Sequence, residues 1–562
     1  MLIRKSVCNK FIYFRPINSN FKHFPMKLTK NICLAALAAL AFQVGFAQKS
    51  STAKSLPKLH KKQAELTEDQ LKRWSHLDIF KDTIPGMSVD KAYSELLKNK
   101  NATKIIVGVI DSGVDIEHED LKSVVWVNKK EIPGNGIDDD NNGYIDDIHG
   151  WNFLGDSNDE TLEMTRVIRK GDDGSETYKR AKEAYEQRYN EALQNKQEVE
   201  FIFAVRNAIA QHLNKETFTV EDIKAIETTD RQIMQAKSIM LSIIAQTGPE
   251  FDEELNAYKE HVEDMLNYNL NLEFDGRKVV GDNPDDIKDT KYGNNNVIGP
   301  EKDGALHGTH VAGIIAQSRN NGLGGDGVAD HVEIMALRAV PNGDEYDKDI
   351  ALAIRYAVDN GAKVINGSFG KGFSPQREWV WDAMQYAASK DVLIVHAAGN
   401  DGLDLDKPEN PSYPTDTKDG KELTDNVLTI GALNTDVSEN LVAPFSNYGA
   451  ERVDIFAPGM KIYATVPNQK YKYEQGTSMA SPNAAGVAAL IRSYYPNLTA
   501  KQVKQIIMDS GTPVSLEVTL GSEQEKRPFN KACKSGKIVN AYNALKMADE
   551  MSKKVKPTKL KG

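Results

Sequence analysis

From residue 104 onward, short apolar runs alternate with amphipathic stretches. KIIVGVI, VEIMALRAV, AKVINGSF, DVLIVHAAG, NVLTIGAL and VDIFAPG are nearly continuous in apolar residues, the pattern of strands buried on both faces. Between several of them the apolar positions recur at helical spacing, over residues 307–317, 347–359, 375–389, 482–494 and 499–509. Alternation of this kind predicts an α/β fold: a doubly wound, mostly parallel sheet with helices on both faces.

One block breaks the alternation. Residues 156–275 read as helix after helix, with stripes at Tyr178, Tyr185, Tyr189 and Leu193 and at Ile202, Val205, Ile209 and Leu213. Thr219 and Asp222 form a capping pair that opens a helix through Ile223, Ile226, Ile233 and Met240. A last helix runs through Leu255, Tyr258, Val262 and Leu266. No catalytic motif falls here, so the block reads as an all-helical insertion. It divides a catalytic domain into residues 73–155 and 276–545, with a loose polar arm over 48–72 and a basic tail over 546–562.

Composition narrows the function. A net charge of −10 argues against a nucleic-acid partner, which calls for a basic face. Met26-Lys27-Leu28-Thr29-Lys30 followed by NICLAALAALAFQVGFAQ reads as a secretory signal cut near Ala47. Translation is expected to start at Met26, and residues 1–47 are leader. Export to the periplasm or the medium follows, with no membrane span after signal removal. Beyond the leader only Cys533 remains, so no internal disulfide forms.

Three stretches carry the candidate chemistry. In VIDSGVDIEHEDL, Asp111 follows a buried strand, where open parallel sheets place their ligands. In HGTHVAGIIA, His307 opens an apolar helix whose glycines allow close backbone approach. In GTSMASPNAAGVAAL, Ser478 precedes a helix expected to carry Pro482 in its first turn. Taken singly, each has a plain alternative: a turn cap, a satisfied interior histidine, a helix cap. Together they are an acid, a base and an alcohol at one sheet edge, the set that activates a weak nucleophile. In HAAGNDG, Asn400 follows another buried strand and offers an amide donor for a developing oxyanion.

These motifs, in the order Asp, His, Ser, resemble those of the subtilisin-like serine proteases, the subtilases. The resemblance covers residues 73–150 and 290–545. It implies a serine endopeptidase with Asp111, His307 and Ser478 as triad and Asn400 as oxyanion donor. INGSFG is similar to the segment that pairs with substrate backbone, which implies Ser368, Phe369, Gly370 and Gly399 as substrate-binding positions for protein or peptide substrates. FSNYG and FAPG look like family turns. Asp401 lies where it would favour a basic residue beside the cleaved bond, or is a solvated loop acid. The rival reading is a non-catalytic protein-binding module on the same scaffold, with the helical block as its interaction surface; the intact set of four residues weighs against it. Only about fifty residues separate Ala47 from the first strand, so no conventional folding propeptide is expected.

GNGIDDDNNGYIDDIHGW, residues 134–151, holds five aspartates. Asp138, Asp140, Asn142, the carbonyl of Tyr144 and Asp146 follow the first nine positions of a calcium loop, with Gly143 at the turn. His149 stands where such a loop has its closing Glu, so Asp147 or a distant residue has to complete the shell. The expected cofactor is structural calcium. Asp120 with Asn320 and Asn321 is a weaker candidate for a second site.

Overall fold

The computed structural model describes residues 59–554 except 63, 249 and 250. The expected signal peptide, its cleavage site and the end of the basic tail lie outside the described residues. One sheet of nine strands organises the rest: β1 (Ile105–Asp111), β2 (Gly150–Asn152), β3 (Val332–Arg338), β4 (Ala362–Gly367), β5 (Leu393–Ala397), β6 (Val427–Leu433), β7 (Ile455–Pro458), β8 (Thr512–Pro513) and β9 (Lys537–Ile538). Their spatial order is β8-β9-β7-β6-β5-β4-β1-β3-β2. Every pairing is parallel except β8 with β9. From β1 the chain goes to β2 at one edge, returns to β3 beside β1, and crosses to β4 on the other side, so the carboxyl end of β1 lies where the order reverses.

Eight helices frame the site and its insertion: α1 (Glu163–Arg169), α2 (Glu176–Leu213), α3 (Arg231–Thr247), α4 (Phe251–Asp264), α5 (Leu306–Ala316), α6 (Asp347–Asp359), α7 (Arg377–Ser389) and α8 (Thr477–Tyr494). The continuous apolar runs have a direct cause in β1. Val107 and Val109 join the core with Val311 of α5 and Ala484 of α8, whereas Ile106 and Ile110 join that of Ile350 of α6 and Met384 of α7. Both faces are covered, so both parities are apolar. Each such side chain contributes about 1.5–3 kcal/mol on burial.

Three helical expectations are corrected. The helix carrying Ser478 starts at Thr477, not at 482, so Pro482 lies in its interior. Pro482 has no N–H for the Ser478 carbonyl, and that carbonyl accepts instead from the Ser368 hydroxyl at 2.9 Å. The two tyrosine and isoleucine stripes belong to one 38-residue helix, α2, whose Tyr189 and Leu193 are more than a third exposed. The Thr219–Asp222 capping box is present, but its helix stops at Lys224, and α3 starts afresh with Asp230 as cap.

The insertion has a core of its own, built from Val199, Ile202, Ile209, Ile223, Met240, Leu255 and Tyr258. A second cluster at its root joins Leu162, Met164, Ala181 and Met265 to Phe373 of the sheet domain. The arm before the sheet is not loose where it is described. Leu59, Leu66 and Leu71 pack on the main core, Thr67 caps a helix over Glu68–Arg73, and Lys61 pairs with Asp436 at 3.0 Å.

Candidate active site

Asp111 is the last residue of β1 and is buried. Its Oδ1 accepts from the Ser112 backbone N–H at 2.8 Å and contacts His307 Nδ1 at 2.6 Å. These two residues stand 196 positions apart, and glycine makes the approach possible. A Cβ on Gly308 would lie 2.0 Å from the Gly113 carbonyl oxygen and 3.0 Å from the Asp111 Cβ. The helix that presents His307 can therefore dock on the β1 turn only without a side chain there. His307 Nε2 and Asp111 Oδ2 are buried and have no hydrogen-bond partner among the described residues.

His310, one turn on, behaves differently. Its Nε2 meets the Lys472 carbonyl at 3.1 Å, and burial pushes its pKa down to about 3. Of these two histidines, His307 is the one docked on a carboxylate with its far ring nitrogen left open.

Ser478 sits in the first turn of α8, where helix N–H groups lack intrahelical acceptors. Its Oγ donates to the Ser368 carbonyl at 3.2 Å and makes no bond to His307. Ser368 returns its hydroxyl to the Ser478 carbonyl, and Asn366 Nδ2 donates to Ser368 Oγ at 2.9 Å. The nucleophile candidate and the start of the 368–370 segment are thus tied in both directions.

Asn400 is oriented by a relay. The Gly399 N–H donates to Thr477 Oγ1 at 3.1 Å, and that hydroxyl and the Thr477 N–H both donate to Asn400 Oδ1, at 2.9 and 2.8 Å. With its oxygen occupied twice, the side chain has only its Nδ2 group to offer a further acceptor.

The family model for the subtilase family matches residues 102–532. The chain belongs to the subtilases. It is 40% identical over 210 residues to the thermophilic serine proteinase of Bacillus sp. (strain AK1), covering 37% of this chain and 47% of that protein. It is 40% identical over 234 residues to the cell wall-associated protease of Bacillus subtilis (strain 168), covering 41% of this chain and 24% of that protein. Subtilisin DY of Bacillus licheniformis is 36% identical over 213 residues, 37% of this chain and 72% of that one. The chain thus spans about half and about a quarter of the first two relatives.

Several residues that hold this subtilase site have no signature of their own. Asn447, inside FSNYG, donates to the Ala398 carbonyl at 2.9 Å and accepts from the N–H groups of Asp401 and Leu403, fixing the loop that carries Asn400. His396 Nε2 meets the Phe369 carbonyl at 2.9 Å, and burial pushes its pKa down to about 4. Asp401 is exposed, with its N–H held by Asn447. A cleft of 460 Å³ opens beside this loop, lined by His396, Ala398, Tyr413, Trp381 and Asp416 among others. Burial pushes Asp416 up to about 6.

The aspartate-rich turn folds on itself in a way only partly foreseen. Asp138 accepts from the N–H groups of Asn142 and Gly143, at 3.0 and 2.8 Å. Carboxylate oxygens of Glu131, Asp138 and Asp140 come within 4.8 Å of one another. Asp146 is not in this group: its two oxygens accept from the N–H groups of Gly134, Asn135 and Gly136. Asp147 is held by Tyr356, Asn142 and Asn128. Glu131 had no mark in the sequence, because it precedes the motif and reaches it by folding back. An all-carboxylate oxygen set of this kind suits a hard divalent cation. At the weaker candidate, Asn321 Nδ2 donates to Asp120 Oδ1 at 2.5 Å.

Proposed function

We propose that this subtilase is an exported serine endopeptidase, cleaving proteins or peptides through Asp111, His307 and Ser478. The contact between Asp111 Oδ1 and His307 Nδ1, with the far ring nitrogen left open, carries this reading. Asp111 holds the imidazole in the tautomer with its proton on Nδ1 and stabilises the imidazolium. Nε2 takes the Ser478 proton as Oγ attacks the scissile carbonyl, then returns it to the leaving amine. For this the hydroxyl has to turn from the Ser368 carbonyl to Nε2, a rearrangement of the kind expected when substrate arrives. The Asn400 amide, aimed by Thr477, and the first-turn N–H of Ser478 stabilise the tetrahedral oxyanion.

Substrate backbone pairs along residues 368–370 and reaches Gly399, and the adjoining 460 Å³ cleft takes the side chain before the cleaved bond. Backbone pairing gives breadth more than selectivity. Export rests on the leader sequence alone. Among the described residues no helix is long and apolar enough to cross a membrane.

Calcium is the proposed structural ion. Glu131, Asp138 and Asp140 fit it by their shared oxygen cluster. Bound there, it would supply positive charge that offsets their mutual repulsion. Excess chelator is expected to lower the melting temperature by at least about 2 °C, and readdition of calcium to restore it.

The deciding experiment is covalent labelling. A fluorophosphonate is expected to label the purified protein once, on Ser478, and to leave the Ser478→Ala variant unlabelled. Failure to label at neutral pH with calcium present would favour a binding module over a protease.

A further inference from the structure

We infer that the helical insertion grips the substrate-pairing strand from behind, with Lys371 and Glu163 as its positioning residues. This rests on the reading that residues 368–370 receive substrate backbone.

Lys371 follows that segment directly. Its backbone pairs with Tyr413 in both directions at 2.9 Å, closing one edge of the strand. Its side chain turns inward and is 2% exposed. The ammonium meets Glu163 Oε2 at 2.7 Å, the Glu345 carbonyl at 2.7 Å and Asp347 Oδ1 at 3.0 Å. Glu163 opens α1, the first helix of the insertion, and is fixed in turn by Arg166 at 2.5 Å. The Arg166 guanidinium also donates to the carbonyls of Thr161, Asp344 and Glu345.

A second grip lies two residues further on. Phe373 is buried among Leu162, Met164, Ala181, Ala192, Met265 and Leu270, all from the insertion, with the Arg180 guanidinium over its ring at 5.1 Å. Glycine stands at 370 and 372, on either side of Lys371. An extended segment with two glycines in three residues has little stiffness of its own. Its path is therefore set by the side chains of Lys371 and Phe373, the first reaching the insertion through Glu163 and the second packed into it. A buried ammonium is costly unless fully paired, so Lys371 has one place to sit.

The insertion is thus a backstop for substrate binding. Removing Glu163 should loosen the strand without touching Asp111, His307 or Ser478. Two variants test this in the full chain: Glu163→Gln, which keeps an acceptor, and the double variant Glu163→Met/Lys371→Met, which removes the ion pair as a unit and leaves Arg166 and Asp347 in place. Each is measured on a ladder of peptides with one to four residues before the scissile bond, and with the fluorophosphonate.

For Glu163→Gln, kcat/KM on the longest peptide is expected to fall about tenfold through KM, while the shortest peptide and the labelling rate change less than about twofold. The double variant should show the same length dependence, with faster amide exchange at Gly370 and Phe373. Equal losses on every peptide and on the label would make the contact merely structural and overturn the inference, as would no loss at all. Wild-type protein that neither labels nor cleaves would instead overturn the protease reading, and this one with it.

Discussion

Two buried polar clusters, one at the root of the insertion and one at the carboxyl end of β1, differ in how their groups are matched. At the root of the insertion, Arg277 donates to Asp282 at 2.8 Å and to Asp349 at 2.6 Å, while Lys348 reaches Asp282 at 2.6 Å and Tyr292 reaches Asp349 at 2.6 Å. Lys371 has three acceptors. At the carboxyl end of β1, by contrast, Asp111 Oδ2 and His307 Nε2 are buried and unmatched. Unmet capacity of this kind costs stability. The root cluster spends its charges on holding two parts of the chain together. The sheet edge keeps one nitrogen open, which is what a general base requires.

The largest effect should come from the open nitrogen itself. His307→Ala is expected to lower kcat/KM by about 10⁴-fold or more, with the melting temperature little changed. Activity near wild type would end the comparison, since the unmatched group would then do nothing.

At the root of the insertion the same kind of deletion should act on folding instead. Lys371→Met leaves Asp347 without its ammonium and Glu163 with Arg166 alone, and should destabilise the protein by about 3–5 kcal/mol in denaturant titration. A change below about 1 kcal/mol would show that the root is not the structural half of the pair.

Gly308→Ala sharpens the sheet-edge side. Its methyl group would meet the Gly113 carbonyl oxygen, so α5 has to back away from β1 and carry His307 with it. A fall of about 10²-fold in kcat is expected, with labelling slowed in parallel. Asn400→Ala should fall in the same range, about 10²–10³ in kcat.

The smallest effect concerns a flaw in the root cluster. Burial, opposed by Lys371 and reinforced by Asp344 and Asp347, pushes Glu345 up to about 8, and one of its oxygens has no partner. Its folded pKa exceeds its unfolded value of about 4.3. The folded state therefore holds the proton longer, and stability from this group falls as pH rises between about 4.3 and 8. Glu345→Gln should remove that slope, raising the melting temperature at pH 8–9 relative to wild type and leaving it nearly unchanged near pH 4. Equal shifts at both pH values would contradict this assignment.

Much of this could be read from residues in order. The doubly wound sheet was legible because strands covered on both faces must be apolar at every position, as Ile106, Val107, Val109 and Ile110 are. The candidate site was legible because HGTHVAGIIA and GTSMASPNAAG combine a reactive side chain with the small residues that let backbones approach. Less visible were features whose cause lies far along the chain. The start of α8 was misplaced because Pro482 looks like a first-turn residue until Ser368 is seen to satisfy the carbonyl it frees. Spacing groups Asp146 with Asp138 and Asp140, yet its oxygens serve a neighbouring turn, and Glu131 joins the carboxylate cluster instead.

Local order thus determined the strands, most of the helices and the types of chemistry available, because periodicity and turn residues act over a few positions. Tertiary structure alone decided that His307 lands on Asp111, that Thr477 turns the Asn400 amide, and that Glu163 of the insertion reaches Lys371 beside residues 368–370. Each of these is a contact between distant residues whose geometry is fixed only when both partners are buried together. Hydrogen bonds at 2.6–2.8 Å leave no trace in the spacing of the residues that make them.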